Sequence, residues 1–109
     1  MITFDDFKKV EIAIGEILEV EKVPETDKLL KLSVHFGEEN PRQIISGISL
    51  YFPDHSVLVG KKCAFVLNLE PRKIKGLESQ GMILASSTED GKFTLLEANT
   101  DMPRGAKVS

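Results

Sequence analysis

Val10-Glu11-Ile12-Ala13-Ile14-Gly15-Glu16-Ile17-Leu18-Glu19-Val20 is the stretch whose reading decides the fold. Val10, Ile12, Ile14, Leu18 and Val20 share one parity, the period of two that sends alternate side chains to one face of a strand. Glu16 interrupts that row beside Gly15, and a glycine inside a strand marks a bend or bulge. The expectation is a long strand, bent at Gly15, that serves two sides of a barrel.

Working outward, Leu30, Leu32, Val34 and Phe36 alternate with Lys31, Ser33 and His35 as a second strand, and Gln43-Ile44-Ile45-Ser46-Gly47-Ile48 reads as a third. Gly, Pro, Asn or Asp residues bound each of them. The nearly all-apolar run from Cys63 to Leu69 predicts a strand buried on both faces. Met82-Ile83-Leu84-Ala85 then leads through Asp90-Gly91, a hairpin-turn signal, into Phe93-Thr94-Leu95-Leu96. Thr3 with Asp6 predicts a capping box, with Ile2 and Phe7 as the staple across it, so a helical turn is expected at about residues 4–9. A second short helix is expected over Asp54 to Val59, ended by Gly60. Five or more strands with a short helix between the third and fourth fit a small OB-type barrel. On periodicity alone an SH3-like barrel or a small sandwich fits almost as well.

Size and composition bound the function. With 109 residues, 41% apolar, the chain supports one modest core, and a single domain over 1–109 is expected. No apolar run is long enough to span a bilayer, and no export or lipidation signal is present, so a cytoplasmic location away from membranes is expected. The lone Cys63 has no partner for an internal disulfide and reads as a core residue.

Charge is unevenly placed. Residues 1–40 carry five Lys/Arg against ten Asp/Glu, whereas 61–83 carry five against two, within a total of −3. The second segment contains Asn68-Leu69-Glu70-Pro71-Arg72-Lys73-Ile74-Lys75-Gly76-Leu77-Glu78-Ser79-Gln80-Gly81-Met82-Ile83-Leu84, read as a basic loop between two apolar runs. A focused cationic loop binds phosphate within roughly a Debye length, about 8–10 Å in physiological salt, even on an acidic protein. The competing reading is plain solvated surface.

Catalysis finds little support. His35 and His55 have no Cys or carboxylate at zinc-ligand spacing, and no Gly-x-Ser-x-Gly elbow, P-loop or dinucleotide fingerprint is present. Asp5-Asp6 and Glu38-Glu39 read as a helix start and a loop tip. The expectation is a binding protein, not an enzyme, with no metal and no cofactor.

The ordered elements resemble a known family. Asp6-Phe7-Lys8-Lys9-Val10-Glu11-Ile12 with Gly15, Asp27-Lys28-Leu29-Leu30-Lys31-Leu32, Gln43-Ile44-Ile45-Ser46-Gly47-Ile48, the basic loop through Gly81-Met82-Ile83-Leu84, and Met102-Pro103-Arg104-Gly105-Ala106-Lys107-Val108 are together similar to one domain family. It is the tRNA-binding domain found at the C-terminus of many bacterial methionyl-tRNA synthetases and as free-standing structure-specific tRNA-binding proteins. Relatives occur among synthetase-associated factors and secretion-linked chaperones. The resemblance implies an all-β OB-fold, a five-stranded Greek-key barrel with short helices and N- and C-terminal extensions, that recognises tRNA by shape, generally as a homodimer.

Carried onto this chain, the resemblance implies Arg72, Lys73 and Lys75 as phosphate-neutralising residues, with Asn68, Ser79 and Gln80 donating to phosphate or ribose oxygens. Met82 would offer a polarizable surface, and Lys28 and Ser46 a second wall. Val23 stands before Pro24 where relatives often have His. Aromatics are few, with one Tyr and no Trp, which favours shape and phosphate recognition over a stacking-dominated binder. Phe4, Phe7 and Met102-Pro103 offer apolar surface for one two-fold interface; alternatively they cap their own barrel. An aminoacyl-tRNA synthetase is an implied partner, and a chain starting at Met1 points toward a free-standing protein. The alternative is a peptide-binding chaperone on the same fold.

Overall fold

The computed structural model describes all residues from Met1 to Ser109. A short helix α1 (Phe4–Lys8) precedes β1 (Ile12–Lys22), β2 (Leu30–His35) and β3 (Arg42–Ser46). Two 3-10 turns, Ser49–Tyr51 and His55–Leu58, lead to β4 (Lys62–Val66). The remaining strands are short: β5 (Arg72–Ile74), β6 (Leu77–Ser79), β7 (Met82–Ile83), β8 (Ala85–Ser87), β9 (Phe93–Leu95) and β10 (Lys107–Val108). The main sheet has the order β3-β2-β1-β4-β7, with β10 also against β1. All its pairings are antiparallel. This is an all-β, OB-like barrel.

The long first strand is present and does serve two sides, pairing with β4 through Ile12↔Val66 to Glu16↔Lys62 and with β2 through Glu16↔His35 to Lys22↔Leu30. Its bulge, however, is not at Gly15, which pairs in register with Cys63. The register shifts between Ile17 and Glu19, making Leu18 the extra residue. One extra residue inverts the facing of everything after it. Ala13 and Ile17 therefore enter the core before the bulge and Val20 packs on it afterwards, whereas Val10 lies outside the strand and is exposed. Gly15 serves close approach instead: a Cβ there would lie 2.5 Å from Phe36 and 2.6 Å from Val34.

Leu30, Leu32, Val34, Ile44 and Phe65 are fully buried at the centre, and Leu58 reaches the same core from the second 3-10 turn. That turn replaces the helix expected over Asp54–Val59; the Asp54 carboxylate caps it by accepting from the Ser56 backbone N–H. Cys63 is buried in the core, and burial pushes its thiol up to about 11, so it stays protonated at neutral pH. At the N-terminus both bonds of the Thr3–Asp6 capping box are made. Asp90-Gly91 does not form a two-residue turn: β8 and β9 pair from Ala85↔Leu95 to Ser87↔Phe93, and a longer loop is closed by Thr88 N–H to Lys92 C=O at 2.9 Å. No helix is long and apolar enough to cross a membrane.

The barrel is completed between β3 and residues 79–81. The Gln80 N–H donates to the Gln43 C=O at 2.8 Å, and the Gln43 N–H donates to the Gln80 side-chain Oε1 at 2.8 Å. The Ile45 N–H is taken by the Ser79 hydroxyl at 3.0 Å, which in turn donates to the Gly81 C=O. Arg42 locks the same junction, donating from Nη1 to the carbonyls of Leu67 and Gln80 while Nε and Nη2 fork onto Glu38, each at 2.9 Å.

That fork holds the Glu38 carboxyl below its ordinary value of 4.5. A depressed carboxyl contributes stability that is present above its unfolded pKa and lost as pH falls through the folded one. Chemical denaturation across acidic pH is expected to show a stability loss below about pH 4.5 that is shallower in Glu38→Gln; parallel profiles for the two proteins would remove this ion pair from the acid response.

Candidate nucleic-acid interface

The basic segment is a hairpin, not a loop. β5 and β6 pair as Arg72↔Ser79, Lys73↔Glu78 and Ile74↔Leu77, joined by a two-residue turn in which Lys75 and Gly76 have φ of 52° and 80°. Positive φ at both central positions is the mirror-type turn whose twist suits a two-stranded ribbon. Glycine takes that conformation freely, whereas a lysine there costs on the order of 1 kcal/mol. Three-residue strands and a Lys-Gly turn in place of Asn-Gly are too weak a signal to be read from the chain alone.

Alternation separates the cations. Arg72 shares the face of Ile74, while Lys73 points to the other side, directly across from Glu78. Lys75 projects from the tip. Arg72, Lys73 and Lys75 are all exposed. Across from the tip runs the β1–β2 connection, and between them opens a groove of about 490 Å³ lined by Glu25, Thr26, Asp27, Lys28, Leu29, Ile74 and Lys75. Leu29 and Ile74 give this groove apolar walls, Lys28 and Lys75 bring positive charge from opposite banks, and Glu25 and Asp27 add carboxylates on the Lys28 side. Structure thus brings together two residues distant in sequence.

The other candidates are placed differently. Ser79 is 3% exposed and spends its hydroxyl on Ile45 and Gly81. The Gln80 carbonyl oxygen is committed to Gln43. Asn68 ties the helix–strand junction to the end of β4, its Oδ1 accepting from the Glu11 N–H at 2.8 Å and its Nδ2 donating to the Lys9 C=O at 2.6 Å. The side-chain oxygens at all three positions and the Asn68 amide N–H are therefore engaged within the protein, whereas the side-chain amide N–H groups of the exposed Gln80 stay free to donate. Ser46 is half-buried at the end of β3, opposite Leu30. Met82 is 38% exposed on β7.

Arg42 and Gln43, absent from the sequence-derived set, hold the base of the hairpin; only their tertiary contacts reveal this. A second groove opens on the outer face of β1 and β2. Glu19 and Glu21 line a polar groove of about 270 Å³ there, with Lys31 paired to Glu21 at 3.3 Å. Each groove is lined by two carboxylates and two cations, Glu19 and Glu21 with Lys31 and Arg42 in this one and Glu25 and Asp27 with Lys28 and Lys75 in the other, so the exposed cations of the hairpin, not the groove linings, supply the positive surface.

An OB-like barrel with a cationic hairpin facing a lysine-bearing loop defines a small anion-binding module of the kind that serves nucleic acids. Residues 12–107 match the family model described as "Putative tRNA binding domain", and the chain belongs to this tRNA-binding domain family. It is 46% identical over 108 residues to a methionine–tRNA ligase of Enterococcus faecalis, a match covering 99% of this chain and 16% of the ligase. The chain therefore spans about a sixth of the length of that relative. Among solved structures it is similar to a MetRS related protein from Pyrococcus horikoshii, at 41% identity and TM-score 0.92 over 100% of this chain and 98% of the other. The chaperone CsaA of Bacillus anthracis is also similar, at 28% identity and TM-score 0.87, with 100% and 99% covered.

Ser79→Ala leaves the buried Ile45 N–H without its acceptor, and a stability loss of about 1–3 kcal/mol is expected by urea unfolding. An unchanged midpoint would show that the hydroxyl is dispensable to barrel closure.

Proposed function

We propose that residues 1–109 act as a single, non-catalytic tRNA-binding domain that reads the phosphate backbone and shape of folded tRNA. The observation that carries the reading is the convergence of Lys75 and Lys28 on one open groove, with Arg72 and Lys73 beside it, in a chain of this family. Arg72 can fork onto a phosphate and the lysines act as point charges. Met82 and Ser46 lie among the candidate contacts with a partly exposed side chain. Ser79 acts by holding the hairpin and Asn68 by tying the helix–strand junction to the end of β4, while the free side-chain amide of Gln80 remains among the candidate donors to RNA. Such a domain supplies tRNA affinity in the cytoplasm, free-standing or beside an aminoacyl-tRNA synthetase of the methionyl type, as the E. faecalis relative suggests.

Each phosphate neutralised on a duplex releases about 0.9 counterion, so four cations per subunit set a slope of log affinity on log salt of about −3 to −4. Arg72→Glu with Lys73→Glu, both exposed, is expected to abolish tRNA binding in an anisotropy titration while circular dichroism stays unchanged. Wild-type affinity in that folded double variant would remove the hairpin from the interface.

A second reading, peptide binding, draws on the likeness to the CsaA chaperone. It predicts that the same double variant keeps an unfolded peptide bound. Homodimerisation is part of the main proposal. Phe4, Phe7 and Val10 are exposed around a mainly apolar groove of about 190 Å³ that Val108 also lines. Pairing two copies there presents two hairpins to one ligand, and bivalency on a rigid frame raises avidity by about a hundredfold or more. Sedimentation equilibrium is expected to give a dimer for the wild type and a monomer for Phe4→Glu; a wild-type monomer refutes this assembly.

A further inference from the structure

Three clefts meet end to end along one rim of the barrel. The groove between Lys28 and Lys75 shares Asp27 with a cleft of about 180 Å³ that contains Lys22 and His55. That cleft shares Phe52 with a third, of about 360 Å³, walled by Tyr51 and Phe93. The backbone ties the rim together, since the Ser49 N–H, two residues before Tyr51, donates to the Lys28 C=O at 3.0 Å.

The third cleft holds a stacked aromatic pair. The rings of Tyr51 and Phe93 lie 3.8 Å apart between centroids at an interplanar angle of 7°, and Phe52 meets Phe93 edge-on at 6.0 Å. Phe93 packs against the core, but Tyr51 is 50% exposed. The stack therefore ends in a ring with surface open to solvent. In a chain with so few aromatics, the other close ring pair, Phe36 with Phe65, is buried. Of the carboxylates along the rim, Glu97 pairs with Lys61 at 3.1 Å and Asp54 accepts from Ser56, while Asp27, shared by the first two clefts, makes no ion pair and adjoins Lys28 in the chain. Lys22 and Lys28 remain along the way as cations for a polyanionic backbone.

We propose that the exposed face of Tyr51 stacks an unpaired nucleobase of the bound RNA, whose strand runs from the basic hairpin past Lys28 and Lys22. The inference rests on the RNA-binding reading and extends it. Shape and phosphate contacts hold the paired part of the ligand, and one aromatic platform adds a preference for RNA with an unstacked base. Stacking suits this task because every base has a π-face, so the contact adds affinity without choosing a sequence.

Tyr51 is the only tyrosine and the chain has no tryptophan. Tyr51→Trp therefore keeps a ring at the platform and supplies a single fluorophore that can be excited where RNA scarcely absorbs. Folded tRNA is expected to quench that emission with the same midpoint as binding, and fully paired RNA is expected to bind through the hairpin without quenching. Tyr51→Leu is expected to weaken folded tRNA about tenfold and to leave paired RNA unaffected, whereas Tyr51→Phe retains wild-type affinity for both. Wild-type tRNA affinity in Tyr51→Leu, or absence of quenching by bound tRNA, overturns the platform while leaving the hairpin reading intact. Failure of the wild type to bind either RNA overturns both.

Discussion

Closure of the barrel against residues 79–81 is the constraint on which the rest depends. β3 would otherwise end the sheet with free N–H and C=O groups, an open edge that solvent or another chain would pair. Instead, Gln80 and Ser79 meet it with one main-chain and two side-chain hydrogen bonds, and Arg42 spans the junction from Glu38 to Leu67 and Gln80. The β5–β6 hairpin grows directly from this seam. Its orientation therefore follows from how the core closes, and Lys75 is delivered to Lys28 by a rigid base rather than by a floppy loop.

Several polar residues of the family pattern gain a different physical meaning here. Asn68, Ser79 and Gln80 are the side chains one would aim at a ligand when reading the chain, since each can donate to an oxygen. In the folded molecule each satisfies backbone groups that would otherwise be stranded. The exposed cations have no such internal employment. A division emerges between side-chain oxygens spent on the backbone and cations that face outward, and the proposed RNA contact draws chiefly on the second group.

The clustering of exposed cations on the hairpin reinforces that assignment. On the outer face of β1 and β2 the carboxylates Glu19 and Glu21 are balanced by Lys31 and Arg42, and in the hairpin groove Glu25 and Asp27 balance Lys28 and Lys75, while Arg72, Lys73 and Lys75 stand exposed together on the hairpin. Such a cluster attracts a polyanion locally despite a net charge of −3. Exposed apolar side chains at Phe4, Phe7 and Val10 lie on α1 and the segment after it, so the proposed self-association need not compete with the hairpin.

The sequence by itself determined the strand-rich barrel, the N-terminal capping box, the core place of Cys63 and the family. These rest on alternation, turn residues and ordered local motifs, which are written along the chain. It misplaced the bulge, because a glycine beside a charged residue signals local irregularity, whereas the real shift at Leu18 arises from how β1 must match β2 after leaving β4. Gly15 is small for a tertiary reason, the approach of Phe36 and Val34. Only the folded structure decided that the side-chain oxygens of Asn68, Ser79 and Gln80 are spent on backbone N–H groups, that Arg42 holds the seam, and that Lys28 faces Lys75. Each of those facts is a hydrogen bond or a juxtaposition between residues far apart in the chain, and no local pattern encodes which distant backbone group will need a partner once water is excluded.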